Sequence, residues 1–393
     1  MTHRRNVVVA AILLALVVAL GAGQKALTAA AASQAVLEAP SFEVDPLWPK
    51  PLPNHWVLGS AIGVAVDSRD HVFIIHRRDT FNERTEIGAA SDPPTGECCI
   101  PAPNILELDP EGNLVGHWGG PGENYDWPAS NHGIAIDHKD NVWIGGNGQG
   151  DSHVLKFTRD GRFLLQIGVA GRDPNSNSRD SFGRVAKITF DPSTNEAYLA
   201  DGYRNKRVAV VDMDNGELKR YWGAYGNPPK DTSLGPYHPD APPAQHFRNP
   251  VHCADPAHDG LVYVCDRPNN RIQVFRKDGT FVKEAFIAPR TLGDGAVWDI
   301  AFSRDPDQTF LYLADGKNMK VYIIDRQSLE ILTSFGDGGR QPGQFFAVHS
   351  IATDSKGNIF TTETYEGKRV QKFVYKGLAP VTTANQGVVW PKR

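Results

Sequence analysis

The amino-acid sequence predicts an all-β fold, a six-bladed β-propeller with four antiparallel strands in each blade, on three observations. One unit recurs along the chain in about six copies: a short apolar strand, a turn with Asp, a second apolar strand, a basic residue and a third strand that ends near Gly. The turns within the copies, such as DSRD, DHKD, DPSTN, DPEG, TRDG and RKDG, carry the Asp/Asn/Gly chemistry of tight hairpins. Gly at 38 and Pro at 28 of 393 residues favour many turns and short strands over long helices, so a helical bundle is excluded.

Taken in order, residues 1–33 read as a signal peptide or an uncleaved N-terminal anchor. His3, Arg4 and Arg5 precede the apolar run Val7 to Ala22 and the small residues Ala29 to Ala32. The apolar run is slightly short for a spanning helix. Residues 34–393 then form a single propeller domain, and the protein is expected in the periplasm or secreted, or tethered to a membrane if the leader stays. The copies start near Ile62, Gly133, Ile188, Val251, Trp298 and His349. The last copy lacks a convincing fourth strand, so Ser41 to Trp48, the first strand-like stretch, is expected to complete it and close the ring.

Three inserts interrupt the period: Asp79 to Asn104, Gly171 to Ser181 and the Pro-rich Ala224 to Gln245. In a propeller, the connection from second to third strand and the connection from outer strand to the next inner strand share one face, and all three inserts map there. Long loops gathered on one face of a rigid scaffold favour binding or catalysis at that face.

Four cysteines matter once export is expected. Cys253 and Cys265 flank a short turn that places them opposite each other, where a disulfide is feasible and a pair of reduced core thiols equally so. Cys98 and Cys99 are adjacent within an insert and could bridge each other, reach another loop or bind metal. A net charge of −4 and a pI near 6.4 exclude the basic footprint of a nucleic-acid binder, so the expected partner is a small-molecule or peptide substrate. Nothing in the chain indicates an oligomeric state.

Three of the thirteen histidines stand at the start of an innermost strand: His132 in the second unit, His252 in the fourth and His349 in the sixth. Alternate blades of a six-fold ring are about 120° apart, so the three imidazoles would converge on the central channel. Three His nitrogens with an open position are a catalytic zinc (Zn2+) ligand set, and other divalent transition metals also suit imidazole. Each His alone reads as a polar channel residue; their recurrence in alternate units argues for a shared metal. His252 follows a shorter hairpin, so its register is the least defined of the three. Where second strands end, on the same face, stand Arg77, Tyr203 and Arg267. Singly they fit rim residues or turn caps; together with the histidines they form a metal, base and anion-binding set.

These residues resemble the family of NHL-type six-bladed propeller lyases typified by peptidyl-α-hydroxyglycine α-amidating lyase. The resemblance covers most of the chain after the leader and rests on HGIAIDHKDNVWI at His132, ADGYRNKR around Tyr203, CDRPNNRIQVF around Arg267 and VHS at His349. It implies that His132, His252 and His349 bind zinc, that Tyr203 is the base, and that Arg77 and Arg267 help hold Tyr203 and a substrate carboxylate. It also implies a phenol whose pKa is lowered by cation and arginine. The family carries a structural calcium (Ca2+) in the channel, held by an Asp after the third histidine and by carbonyls at positions matching Val64 and Ile134. Here that Asp is Ser350, a poorer calcium ligand, which argues against calcium.

The resulting expectation is a metal-dependent lyase that cleaves the carbon–nitrogen bond of an N-acyl-α-hydroxyglycine to an amide and glyoxylate. The alternatives are a non-catalytic NHL propeller that binds a ligand or protein through its loop face, and a propeller hydrolase of the lactonase type, for which calcium and oxygen ligands rather than imidazoles are expected.

Overall fold

In the computed structural model, residues 37–391 are described, and the segment 1–33 read as a leader lies outside them. Six four-stranded antiparallel sheets form the propeller. Their innermost strands are Ser60–Val66, Asn131–Ile136, Val185–Asp191, Val251–Pro256, Asp299–Phe302 and Val348–Thr353. Each sheet is apolar on both faces, because each packs against two neighbours, and the core therefore lies between blades. Between the third and fourth blades, for example, Tyr198, Val208, Val210 and Trp222 pack on Val262, Val264 and Phe275. Burying one such side chain stabilises by about 2–3 kcal/mol, which is why stacked blades hold where an isolated sheet would not.

The ring closes as expected. Strand Glu38–Asp45 pairs antiparallel with Arg369–Pro380 and becomes the outer strand of the sixth blade. It begins three residues before the predicted stretch and stops before Pro46, which has no N–H to continue the ladder. Phe42 on this strand is almost fully buried, with ring centroids 5.4 Å from Tyr312, 5.5 Å from Phe335 and 5.8 Å from Tyr375, so the latch also joins the fifth blade to the sixth.

The inserts emerge where the period placed them. The first contains the short helix Ile87–Ala90 and the Cys98–Cys99 disulfide, and its strand Ile100–Pro101 pairs in parallel with Trp56–Val57. Cys253 and Cys265 are register partners on the first two strands of the fourth blade and form the second disulfide. Among the described residues no helix is long and apolar enough to cross a membrane.

Two local devices aim side chains at the axis. Five inner strands carry a register shift at their start, across Ile62, His132–Gly133, Ala186–Lys187, His252 and His349. Such bulges turn side chains out of the regular alternation. At the ends of second strands, a buried carboxylate folds the following turn onto an arginine of the third strand: Asp201 with Arg207 at 2.7 Å, Asp266 with Arg271 at 2.8 Å and Glu363 with Arg369 at 2.6 Å. Removing one partner from such a pair leaves a buried charge uncompensated, at a cost of about 3–5 kcal/mol.

Candidate metal centre

The bulges place His132, His252 and His349 around one point on the axis. Their ligand nitrogens lie within 4.8 Å of one another and their ring centroids are 4.9–5.2 Å apart. All three rings are buried. The chain distances between them are bridged by the six-fold ring, since the three belong to the second, fourth and sixth blades.

The other three blades orient these rings. His132 Nδ1 lies 2.7 Å from the carbonyl of Ala186 in the third blade, His349 Nδ1 lies 2.7 Å from that of Ile62 in the first, and His252 Nδ1 contacts that of Trp298 in the fifth. A carbonyl only accepts, so each Nδ1 carries the proton and donates, and each Nε2 keeps its lone pair. Burial above all, with the nearby arginines and, for His132 and His252, the neighbouring histidines, holds all three imidazoles well below the usual histidine pKa. The centre is thus three neutral nitrogen bases with second-sphere carbonyls fixing their tautomers, the arrangement that orients metal-binding histidines. Gly133 permits it: a Cβ there would stand 2.8 Å from the Ala186 carbonyl oxygen. This donor set fits one divalent transition ion, zinc or a neighbour that also prefers nitrogen.

Tyr203 stands in the turn after strand Glu196–Asp201, with Oη 2.8 Å from His132 Nε2 and 3.1 Å from His252 Nε2. A phenol has one proton, so it donates to one of these acceptors at a time. The turn is held from below by Asp201, which accepts from Gly183 N, Asn205 Nδ2 and Arg207 Nε. Arg267 opens the turn after Leu261–Asp266; its Nη1 donates to Tyr203 Oη at 3.3 Å, and its guanidinium lies 4.6 Å from the Trp298 ring. Among the described residues its Nε is buried without a partner, and its Nη2 is 3.8 Å from Asp294. Arg77 ends the strand Val72–Arg77 on the same face, but its hydrogen bonds go to the carbonyl of Asn131 and to Asn147 Oδ1, at 3.0 and 2.8 Å, rather than to Tyr203. Burial is the largest influence on the Tyr203 phenol and pushes its pKa up, whereas Arg267 and Arg77 pull it down. The two arginines alone therefore do not produce the lowered phenol expected from the sequence.

Three contributors were not foreseen. Trp298 supplies the carbonyl for His252 and a ring 5.5 Å from His349. Asn131 links the His132 strand to the first blade through His76 O and Asn104 Oδ1, both at 3.0 Å. Tyr365 stands in the turn of the sixth blade as Tyr203 does in the third, two residues after the carboxylate, and remains half exposed at the rim. Aligning ADGY with TETY would have found it.

The chain is 26% identical over 316 residues to peptidyl-glycine alpha-amidating monooxygenase B of Xenopus laevis, covering 78% of this chain and 33% of that protein. It is 24% identical over 359 residues to NHL repeat-containing protein 3 of Mus musculus, covering 86% of this chain and 85% of that protein. The chain is thus similar in sequence to amidating monooxygenases and to an NHL repeat-containing protein. It spans about a third of the length of the amidating relatives. No family model matches it. A solved structure of streptogramin B lyase shares the fold, with a TM-score of 0.51 at 12% identity, over 86% of this chain and 98% of the other.

A calcium ion in the channel does not fit the residues present. Lys187, from the third-blade bulge, reaches into the axis and places Nζ 2.8 Å from Asp255 Oδ1, 2.6 Å from Asp299 Oδ1 and 2.8 Å from the carbonyl of Ile300. Ser350 donates to Asp299 Oδ2 at 2.8 Å instead of facing the channel as a free ligand. Cys253 comes close to both carboxylates, but its sulfur is bound to Cys265.

Proposed function

We propose that the protein is an exported, metal-dependent lyase that converts an N-acyl-α-hydroxyglycine into an amide and glyoxylate. The observation that carries this reading is the meeting of three neutral imidazole lone pairs, one tyrosine hydroxyl and one arginine at a single mouth of the channel. The similarity to peptidyl-glycine alpha-amidating monooxygenase B supports a role in peptide α-amidation. The Cys253–Cys265 disulfide supports an oxidising compartment, periplasmic or extracellular.

A divalent ion on the three Nε2 atoms would supply Lewis-acid activation of the substrate hydroxyl. The chain's own residues then have distinct tasks. Arg267, with an unpartnered buried Nε, and Arg77 at the same face bind the substrate carboxylate and orient it. With a divalent ion held by the histidines, Tyr203 would lose its own proton to solvent and its phenolate Oη would accept the substrate hydroxyl proton, Arg267 favouring that form against the burial that disfavours it. The electron pair of that O–H bond forms the carbonyl of glyoxylate, the C–N bond breaks towards nitrogen, and the proton ends on the amide. Trp298 holds the Arg267 guanidinium flat and excludes water from its face.

The experiment is to incubate metal-loaded protein with a peptide ending in α-hydroxyglycine and measure glyoxylate and amide. Equal amounts of both are expected. A metal-loaded protein that releases neither overturns the lyase reading and leaves a propeller that binds through its loop face.

A further inference from the structure

The inner strands of all six blades contribute to a cavity of about 350 Å³ at the end of the channel away from the histidines, with Val64, Ile134, Lys187, Asp255, Ile300 and Ile351 in its wall. Most of this wall is aliphatic, yet it contains the Asp255 carboxylate, and a second carboxylate, Asp299, lies behind it on the same lysine. Asp255 and Asp299 are 8% and 3% exposed, and water reaches neither well enough to solvate a charge. Their shared partner is the Lys187 ammonium, whose side chain is itself only 18% exposed.

The three donor directions of that ammonium are used completely. Two go to Asp255 and Asp299, and the third goes to the Ile300 carbonyl. Asp299 in turn accepts from Ser350 Oγ at 2.8 Å and from the backbone N–H of Ile351 at 3.0 Å. One lysine therefore ties together the inner strands of the third, fourth, fifth and sixth blades. The knot lies one residue beyond the carbonyls that orient the imidazoles, since Lys187 follows Ala186 and Asp299 follows Trp298, while Ser350 follows His349. Oxygen ligands converging from several blades are what a hard divalent cation would need, but here a covalently attached monocation already fills the place.

We propose that Lys187 is the built-in axial cation of this propeller, a positioning residue that joins four blades beneath the histidine trio and makes a structural divalent ion at that level unnecessary. The inference does not depend on the lyase reading. Vacating the position leaves Asp255, Asp299 and the Ile300 carbonyl facing a space without a positive charge, which creates a site for calcium.

The test measures thermal unfolding of the wild-type protein and of Lys187→Ala, each in EGTA and in millimolar calcium chloride, with calcium content determined by mass spectrometry. The wild-type protein is expected to unfold at the same temperature in both buffers and to hold no calcium. Lys187→Ala is expected to unfold about 5–10 °C lower in EGTA and to recover at least half of that in calcium. A structural defect alone would not be recovered by a cation. A wild-type protein that retains one calcium per chain, or gains about 5 °C from it, overturns the proposal. So does a Lys187→Ala protein as stable as wild type in EGTA, or a destabilised one indifferent to calcium. Should Lys187→Ala fail to fold, the wild-type measurements decide by themselves.

Discussion

The two levels of the central axis are built on the same ring of inner strands and yet carry opposite chemistry. At the loop-face level, three imidazoles present lone pairs to a common point, and the group that could hold a metal there contains only histidines. One to three residues further along the strands, two carboxylates meet an ammonium supplied by the chain. The difference teaches how a propeller separates structural from chemical demands. Where a positive charge is needed only to hold blades together, a lysine serves permanently. Where a cation would have to accept and release a substrate oxygen, the chain leaves bases with open lone pairs.

The largest effect that would sharpen this contrast is at the upper level. His132→Ala is expected to lose metal affinity by more than the roughly 100-fold that loss of an outer partner costs, and to lose glyoxylate release with it. Equilibrium dialysis against zinc measures the first, and retained tight binding would show that the trio is not the site. Next in size, Tyr203→Phe is expected to lower turnover by about 10²–10⁴-fold while metal content stays at the wild-type level. Unchanged turnover in steady-state assays would remove Tyr203 as the base. Gly133→Ala should displace the Ala186 carbonyl from His132 and weaken metal binding by about 10-fold, with the lower level unaffected. Equal affinities for variant and wild type would show that the carbonyl clamp does not tune the trio.

The smallest effect separates the levels by pH. The carboxylates beside Lys187 outweigh its burial and raise its pKa above the ordinary 10.5. A lysine with a raised folded-state pKa contributes stability that is full below the unfolded value and is lost as pH rises through the folded one. Asp255, whose carboxyl is raised to about 6 even beside Lys187, titrates higher still in Lys187→Met. The stability difference between wild type and Lys187→Met should therefore grow with rising pH through the neutral range and shrink only above 10.5, as the lysine itself is deprotonated. Denaturant titrations across that range would check it, and a difference that vanishes below pH 9 would contradict an ammonium held between two carboxylates.

Much of the site was legible because it repeats. His132, His252 and His349 stand out once the blades are aligned, since each opens an inner strand in alternate units. Arg77, Tyr203 and Arg267 were legible in the same way, from their place after second strands, and the structure brings Tyr203 and Arg267 into contact while Arg77 bonds elsewhere. Hairpin geometry placed Cys253 and Cys265 opposite each other without deciding between a disulfide and reduced thiols, which the structure decides, and adjacent Cys98 and Cys99 gave no geometric basis for choosing a partner. Lys187 was not legible. A lone lysine in a strand ordinarily reads as a solvated side chain, and only the bulge at Ala186–Lys187 turns it inward.

The amino-acid sequence by itself determined the number of blades, the closing strand and the identity of the three axial imidazoles, because period-two strands and Asp/Gly turns act through local backbone preferences that repeat along the chain. Only the tertiary structure decided which nitrogen of each imidazole faces the axis, which carboxylates surround Lys187 and which arginine reaches Tyr203. Those outcomes depend on carbonyls and side chains from neighbouring blades, brought within hydrogen-bond reach by bulges and by packing between sheets, and no local pattern encodes contacts made across a ring.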